Sequence, residues 1–247
     1  MNATDLAEYK VTKSNALVEA AYHLSLAEQR LVLMAIAQTD SRNPSAEAHT
    51  FRVRATDYAE LFQVDLATAY EALADAAHRL YERSMTKITR PDEKTEIVED
   101  VRWIDRRLVK KEQRYVTELE VSWSRHIQPY LTVLRDKFTS YELRQVIRLQ
   151  SPYAIRLYEW LVQWLGTTGE VHMTLEEFRT RLDLGKKYPR FTDLRKFVLQ
   201  PSVDSINLHT NLDVDWEPIR TKRKVTRLLF VAAERRQGSL DLAPGKG

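Results

Sequence analysis

Tyr188-Pro-Arg-Phe-Thr-Asp-Leu-Arg-Lys-Phe-Val-Leu-Gln-Pro-Ser-Val-Asp-Ser-Ile-Asn207 reads as a helix with a marked start. Thr192 or Asp193 is expected to accept the orphan N–H groups of its first turn. Leu194, Val198, Leu199, Ser202, Val203 and Ile206 recur at helical spacing and form one apolar stripe. The cations come early: Arg190 just before the helix, Arg195 and Lys196 in its first turn. Cations at that end oppose the helix dipole. An ordinary solvated face has the same look. A compensating gain would come from an anionic partner, and DNA phosphates or guanine edges supply one. Pro201 breaks the pattern, because it removes a hydrogen bond and clashes with the preceding turn, so a kink or a helix break is expected there.

A basic segment lies downstream. From Arg220 to Arg236 the chain carries Arg220, Lys222, Arg223, Lys224, Arg227, Arg235 and Arg236 against only Glu234. The whole chain is only mildly basic, with a formal net charge of +3 over 247 residues. Its imbalance is therefore local. Leu212–Pro218 and Lys224–Ala233 read as two strands joined by the basic tip Arg220–Lys224. Upstream, Thr174-Leu-Glu-Glu177 is a capping box that opens a helix to about Leu182. Val171-His-Met173 before it is a short strand. Ser151-Pro152 starts a further helix, Tyr153 to Leu165, which Gly166 and Gly169 end.

The same order occurs earlier. Ser25-Leu-Ala-Glu28 is a capping box before a helix to about Gln38, and the polar loop Thr39–Ala48 follows. Phe51–Arg54 alternates as a strand. Thr56-Asp57 caps a short helix to Phe62, and Asp65 caps a longer one from Leu66 to about Arg83. Its inner stripe is Ala69, Leu73, Ala76 or Ala77, and Leu80. Met85–Thr89, Ile97–Val109 and Tyr115–Trp123 then read as strands with charged turns, Arg90–Lys94 and Lys110–Arg114. A helix-turn-helix followed by antiparallel strands is a winged helix. Thr56 and Thr174 mark equivalent points about 120 residues apart. The expected fold is therefore α+β, with two tandem winged-helix domains related by duplication, 1–135 and 136–247. Residues 1–14 look loosely held, a short helix starts after Asn15, and Leu131–Leu149 looks helical. Leu17, Leu24 and Leu31 fall seven apart, but the repeat is too short for a coiled coil and is assigned to the core.

Several chemistries are excluded. Six glycines without GxxxxGK[ST] leave no phosphate cradle, so no ATPase is argued. The six histidines are scattered without HxH or HExxH spacing, so no metal or cofactor is expected. That counts against a rolling-circle nickase, and no enzyme activity is expected. With no cysteine there is no disulfide framework. No apolar run approaches bilayer-spanning length, and Met1–Lys13 is unlike a signal peptide. A cytoplasmic protein without membrane partners is expected.

Four stretches resemble a known family. They are Ser14–Ala20 with Leu24–Arg30, Ser151-Pro-Tyr-Ala-Ile-Arg-Leu-Tyr-Glu159, Tyr188–Arg195, and Leu199-Gln-Pro-Ser-Val-Asp-Ser-Ile-Asn207. In this order they are similar to the iteron-binding replication initiators of theta-replicating plasmids, to which the F plasmid initiator belongs. The resemblance spans about residues 12 to 233. It implies two winged helices, monomers that bind repeated origin sites (iterons), and dimers that repress their own promoter at an operator inverted repeat. It also implies a homodimer, a host replication initiator and helicase as partners, and a location on the nucleoid or plasmid. Arg190, Asp193, Arg195 and Lys196 fall where the family places major-groove contacts. Phe197 stands where relatives carry a further arginine. Lys222, Arg223 and Lys224 match the wing, with phosphate contact implied. In the first domain Thr68, Arg79, Arg83 and Lys87 are the candidates for DNA contact. Asp193 orients Arg190 or Arg195, accepts from a cytosine amino group, or caps the helix. Two other readings stay open: a winged-helix transcriptional regulator without a replication role, and a DNA-nicking relaxase. The dimer surface is expected on the sheet of the first domain. A fragment starting near Arg135 is expected to fold alone.

Overall fold

The structure is a computed structural model that describes residues 3–39, 49–89, 91–92, 94–132, 134 and 137–235. Residues 40–48 of the loop Thr39–Ala48, Arg90 and Glu93 of the next charged turn, Arg135 at the expected division and Arg236 of the basic segment lie outside the described residues.

Two units share one plan. In the first, α3 (Leu26–Ala37) is followed by β2 (Thr50–Arg54), α4 (Ala55–Phe62) and α5 (Leu66–Glu82), then by the hairpin β5 (Ile104–Glu112) and β6 (Tyr115–Trp123). In the second, α6 (Pro152–Leu165) is followed by β8 (Glu170–Thr174), α7 (Leu175–Arg181), α8 (Phe191–Leu194), α9 (Gln200–His209) and the hairpin β9 (Leu212–Thr221) and β10 (Lys224–Glu234). The strand orders are β2-β6-β5 and β8-β10-β9. Position for position these are the same antiparallel sheet, so the repeated order in the sequence is a repeated winged-helix topology. The first unit differs by an inserted hairpin, β3 (Ser84–Thr89) with β4 (Ile97–Arg102).

Local chemistry starts most of these helices. Ser25 and Glu28 form both halves of a capping box, as do Thr174 and Glu177. The Asp65 carboxylate accepts from the Thr68 N–H, and the Ser151 hydroxyl from the Tyr153 N–H. Packing decides the rest. Helices α3 and α6 are buried almost all round, as expected of helices at the centre of a fold rather than on its surface. Leu17, Leu24 and Leu31 are all buried in the core, which agrees with their assignment there.

Four expectations are corrected. Of the segment 1–14, residues 3–14 are held: α1 (Ala3–Ala7) buries Leu6, and β1 (Lys10–Ser14), which leads into α2 (Asn15–Glu19), buries Val11 and Lys13. Leu131–Leu149 is not one helix. It contains β7 (Phe138–Glu142), which pairs antiparallel with β1. No local pattern could place that strand, because its partner is more than a hundred residues away. This pairing runs across the expected division between residues 135 and 136. Ile97–Val109 is two strands in different sheets, split at the buried Trp103. The indole of Trp103 meets Tyr22 edge-on at 5.1 Å between ring centroids. The short helix α4 starts at Ala55 with no side-chain cap.

Two buried carboxylates tie the layers together. Glu28 accepts from the Ser25 N–H (2.6 Å) and from Arg83 Nε (3.1 Å). Glu159 of α6 accepts from Lys13 Nζ of β1 (2.5 Å) and from the Tyr141 hydroxyl of β7 (2.6 Å). Arg156 Nη2 donates to the Ala20 carbonyl (2.8 Å), and Trp160 Nε1 to that of Val18 (2.8 Å). Through these bonds α6 of the second unit is fastened to the N-terminal segment.

Candidate nucleic-acid interface

The helix quoted first runs from Phe191 to His209 as α8, a π-helical turn at Arg195–Leu199, and α9. Arg190 is its N-cap residue, and no side chain caps it. The capping roles expected of Thr192 or Asp193 are therefore not realised, and Arg195 and Lys196 lie one turn deeper than expected. Pro201 neither breaks nor ends the helix. The Gln200 N–H bonds to the Arg195 carbonyl, five residues back. This wider turn lets the chain pass a residue that has no N–H of its own to donate. Leu194, Val198, Leu199, Ser202, Val203 and Ile206 are buried, as their spacing implied.

The turn before the helix is strained and held. Asp183, Gly185 and Tyr188 all have positive φ, at 47°, 51° and 50°. The Arg179 guanidinium of α7 spans the turn. It donates from Nη1 to the Tyr188 carbonyl (2.8 Å) and from Nη2 to those of Gly185 (2.9 Å) and Lys187 (2.6 Å). Sequence reading missed Arg179, because its partners are backbone carbonyls that carry no residue signature.

Helix and wing are fixed to each other at both ends. The Asn207 amide donates to the Val214 carbonyl (2.8 Å) and accepts from its N–H (2.7 Å). Near the helix start, Trp216 of β9 packs on Phe191, and the Arg195 guanidinium lies 5.9 Å from the Trp216 ring centroid. Trp216 is a second residue that sequence reading did not single out. The wing tip turns at Lys222, with φ 57°.

The second-unit candidates lie on these two joined elements, three at the start of the helix and three at the wing tip. Arg190, Arg195 and Lys196 on the helix, and Lys222, Arg223 and Lys224 on the wing, are all exposed. Among the described residues none of these six forms an ion pair. Lys186 and Lys187 add exposed charge in the turn. Asp193 is half-buried in the first turn of the helix, where a carboxylate suits the dipole.

The first-unit candidates are placed differently. The Thr68 hydroxyl donates to Asp65 (2.6 Å), and that bond holds the Asp65 carboxyl below its usual range. Arg79 pairs with Asp75 at 2.8 Å. Arg83 is committed to the buried Glu28. Lys87 lines a cleft with Glu19, Glu176 and Glu177, and its ammonium lies 5.7 Å from the Tyr130 ring centroid. Thr68 and Arg79 share α5 but stand about 16 Å apart along it. These four do not form one patch.

Comparison with known proteins places this arrangement. The family described as "Initiator Replication protein, WH1" matches residues 10–162, and "Initiator Rep protein, WH2" matches residues 174–231. The chain belongs to the initiator replication protein family. Its two winged helices are the WH1 and WH2 units of that family. A replication initiation protein of Escherichia coli is 29% identical over 213 residues, covering 84% of this chain and 65% of that protein. The chain thus spans about two thirds of that relative's length. The PI protein of Escherichia coli is 23% identical over 257 residues, covering 90% of this chain and 81% of that protein. A crystal structure of the Pi initiator protein in complex with iteron DNA superposes with a TM-score of 0.76 at 21% identity, covering 93% of this chain and 99% of that one. That likeness is one of fold.

Proposed function

We propose that this member of the initiator family starts plasmid replication by binding repeated origin sites, with the second winged helix as the main reader. The observation that carries it is the set of six cations of the second unit, Arg190, Arg195 and Lys196 on the helix and Lys222, Arg223 and Lys224 on the wing, exposed and without ion pairs among the described residues. Exposed, unpaired cations are what a phosphate backbone attracts, and a helix with polar side chains is what a major groove admits. Family membership and the fold shared with an iteron-bound initiator support the same reading. Thr68, Arg79, Arg83 and Lys87 are at most accessory contacts, since Arg79 and Arg83 already serve carboxylates. Its action is binding without catalysis. A homodimer that represses its own promoter, and recruitment of a host initiator and helicase at the plasmid in the cytoplasm, belong to the same proposal.

The test is replication. A plasmid whose only origin is the DNA flanking this protein's own coding sequence is introduced into cells that supply the protein. Maintenance with the wild type, and loss with Lys196→Ala, are expected. A protein that binds the DNA but never maintains the plasmid is a transcriptional regulator instead. Nicking of the supercoiled plasmid by the purified protein with a divalent metal would overturn binding without catalysis.

A further inference from the structure

Phe197 lies in the π-helical turn next to Lys196, and 53% of it is exposed. No part of the core uses this ring. It is nevertheless held in place: Tyr188 stacks on it at 5.9 Å between centroids and 28° between planes. The Lys196 ammonium lies 5.2 Å from its centroid. Exposed phenyl surface in water is unfavourable, and it lies here beside Lys196, one of the cations proposed to face DNA. A phenyl ring carries no donor or acceptor for a base edge. In the major groove the thymine C5 methyl is the apolar feature it can cover.

Resting on the proposed reading of the helix as the DNA reader, we infer that Phe197 is a specificity-determining residue that selects thymine by contact with its C5 methyl group, beside the base pair that Lys196 meets. The Tyr188 stack pre-sets the ring, so little rotamer freedom is lost on binding. Tyr188 is thereby a positioning residue. The left-handed backbone at Tyr188, held by Arg179, is part of the same device.

The experiment isolates the methyl group. The full chain selects its preferred duplex from a random-sequence library. Each thymine of that duplex is then replaced singly by deoxyuridine, which removes the methyl and keeps every hydrogen bond. The wild type should lose about three- to five-fold in affinity at one position, the worth of one buried methyl. Phe197→Ala should bind the thymine and uracil duplexes alike and unfold at the wild-type temperature. Phe197→Arg should shift the preference at that position from thymine towards guanine. If Phe197→Ala keeps the wild-type thymine-to-uracil ratio, or if no thymine responds in a duplex that is otherwise preferred, this inference fails while the DNA-reading helix stands. A library that yields no preferred duplex overturns both.

Discussion

Lys13 and Glu159 are 1% and 0% exposed, and each has left water to meet the other. Such a pair adds little over apolar packing, but removing one partner strands a buried charge. Arg156 lies 3.6 Å from the second Glu159 oxygen, and the Tyr141 hydroxyl donates to the first. Burial, then the neighbouring carboxylate, pushes the Tyr141 hydroxyl well above its ordinary range, so it stays a donor. Lys13→Met should destabilise the fold by roughly 3–5 kcal/mol. Urea unfolding measures it, and a loss near zero would mean that Arg156 alone satisfies the carboxylate. At the proposed DNA contacts the cations form no ion pair among the described residues, so their substitution is read in binding. Lys196→Ala should weaken the preferred site by about 1–3 kcal/mol and relax discrimination there. Lys222→Ala should weaken all duplexes alike and lower the salt slope by about one. Titrations at several salt concentrations check both; an unchanged ratio of specific to random binding in Lys196→Ala would remove that lysine from base readout.

The element that matters most is the helix from Phe191 to His209 with the turn that aims it. Caps were legible where they are local, as at Ser25, Asp65, Ser151 and Thr174. They failed at Thr192 and Asp193, because the chain enters this helix through Tyr188 in a left-handed conformation and starts it early. Of the kink or break expected at Pro201, the break does not occur, because the π-helical turn carries the chain past a residue without an N–H. Arg179 holds the turn by three hydrogen bonds to carbonyls. Arg179→Ala should reduce stability by about 1–3 kcal/mol, the usual cost of losing charged hydrogen bonds. It should also lower affinity for the preferred duplex more than for random DNA, because the aim of the helix loosens while its charge remains. Thermal unfolding and competition binding read the two effects. An equal loss on both duplexes would detach Arg179 from recognition.

At the scale of the whole molecule, β1 and β7 bind the N-terminal segment to the start of the second unit. A fragment beginning at residue 137 keeps the second sheet but loses the partner of β7 and Lys13, the lysine bonded to Glu159. It is expected to show no cooperative unfolding by calorimetry, against the independent folding that its own apolar stripe suggested. A chain beginning at residue 10 is expected to unfold cooperatively. A sharp transition in the shorter fragment would show that β1 is dispensable. The inserted hairpin bears on the proposed dimer. Val101 is buried, so a charge there would break the core rather than test a surface. Ile88, Ile97 and Val98 are exposed near the far end of the hairpin, and among the described residues β4 pairs with β3 alone. An unpaired edge with exposed apolar side chains is a pairing surface. Val98→Glu should shift sedimentation towards the monomer without lowering the unfolding temperature. A dimer that persists would move that interface elsewhere.

Periodicity and caps in the sequence alone determined the helix-turn-helix units, the two hairpins, the core stripes and the cationic helix and wing, because each is written in residues close together along the chain. The pairing of β1 with β7, the split at Trp103, the commitment of Arg83 to Glu28 and the turn clamped by Arg179 were decided only in the tertiary structure. Each depends on a partner distant in sequence or on a backbone carbonyl that every residue possesses, so no local pattern announces it.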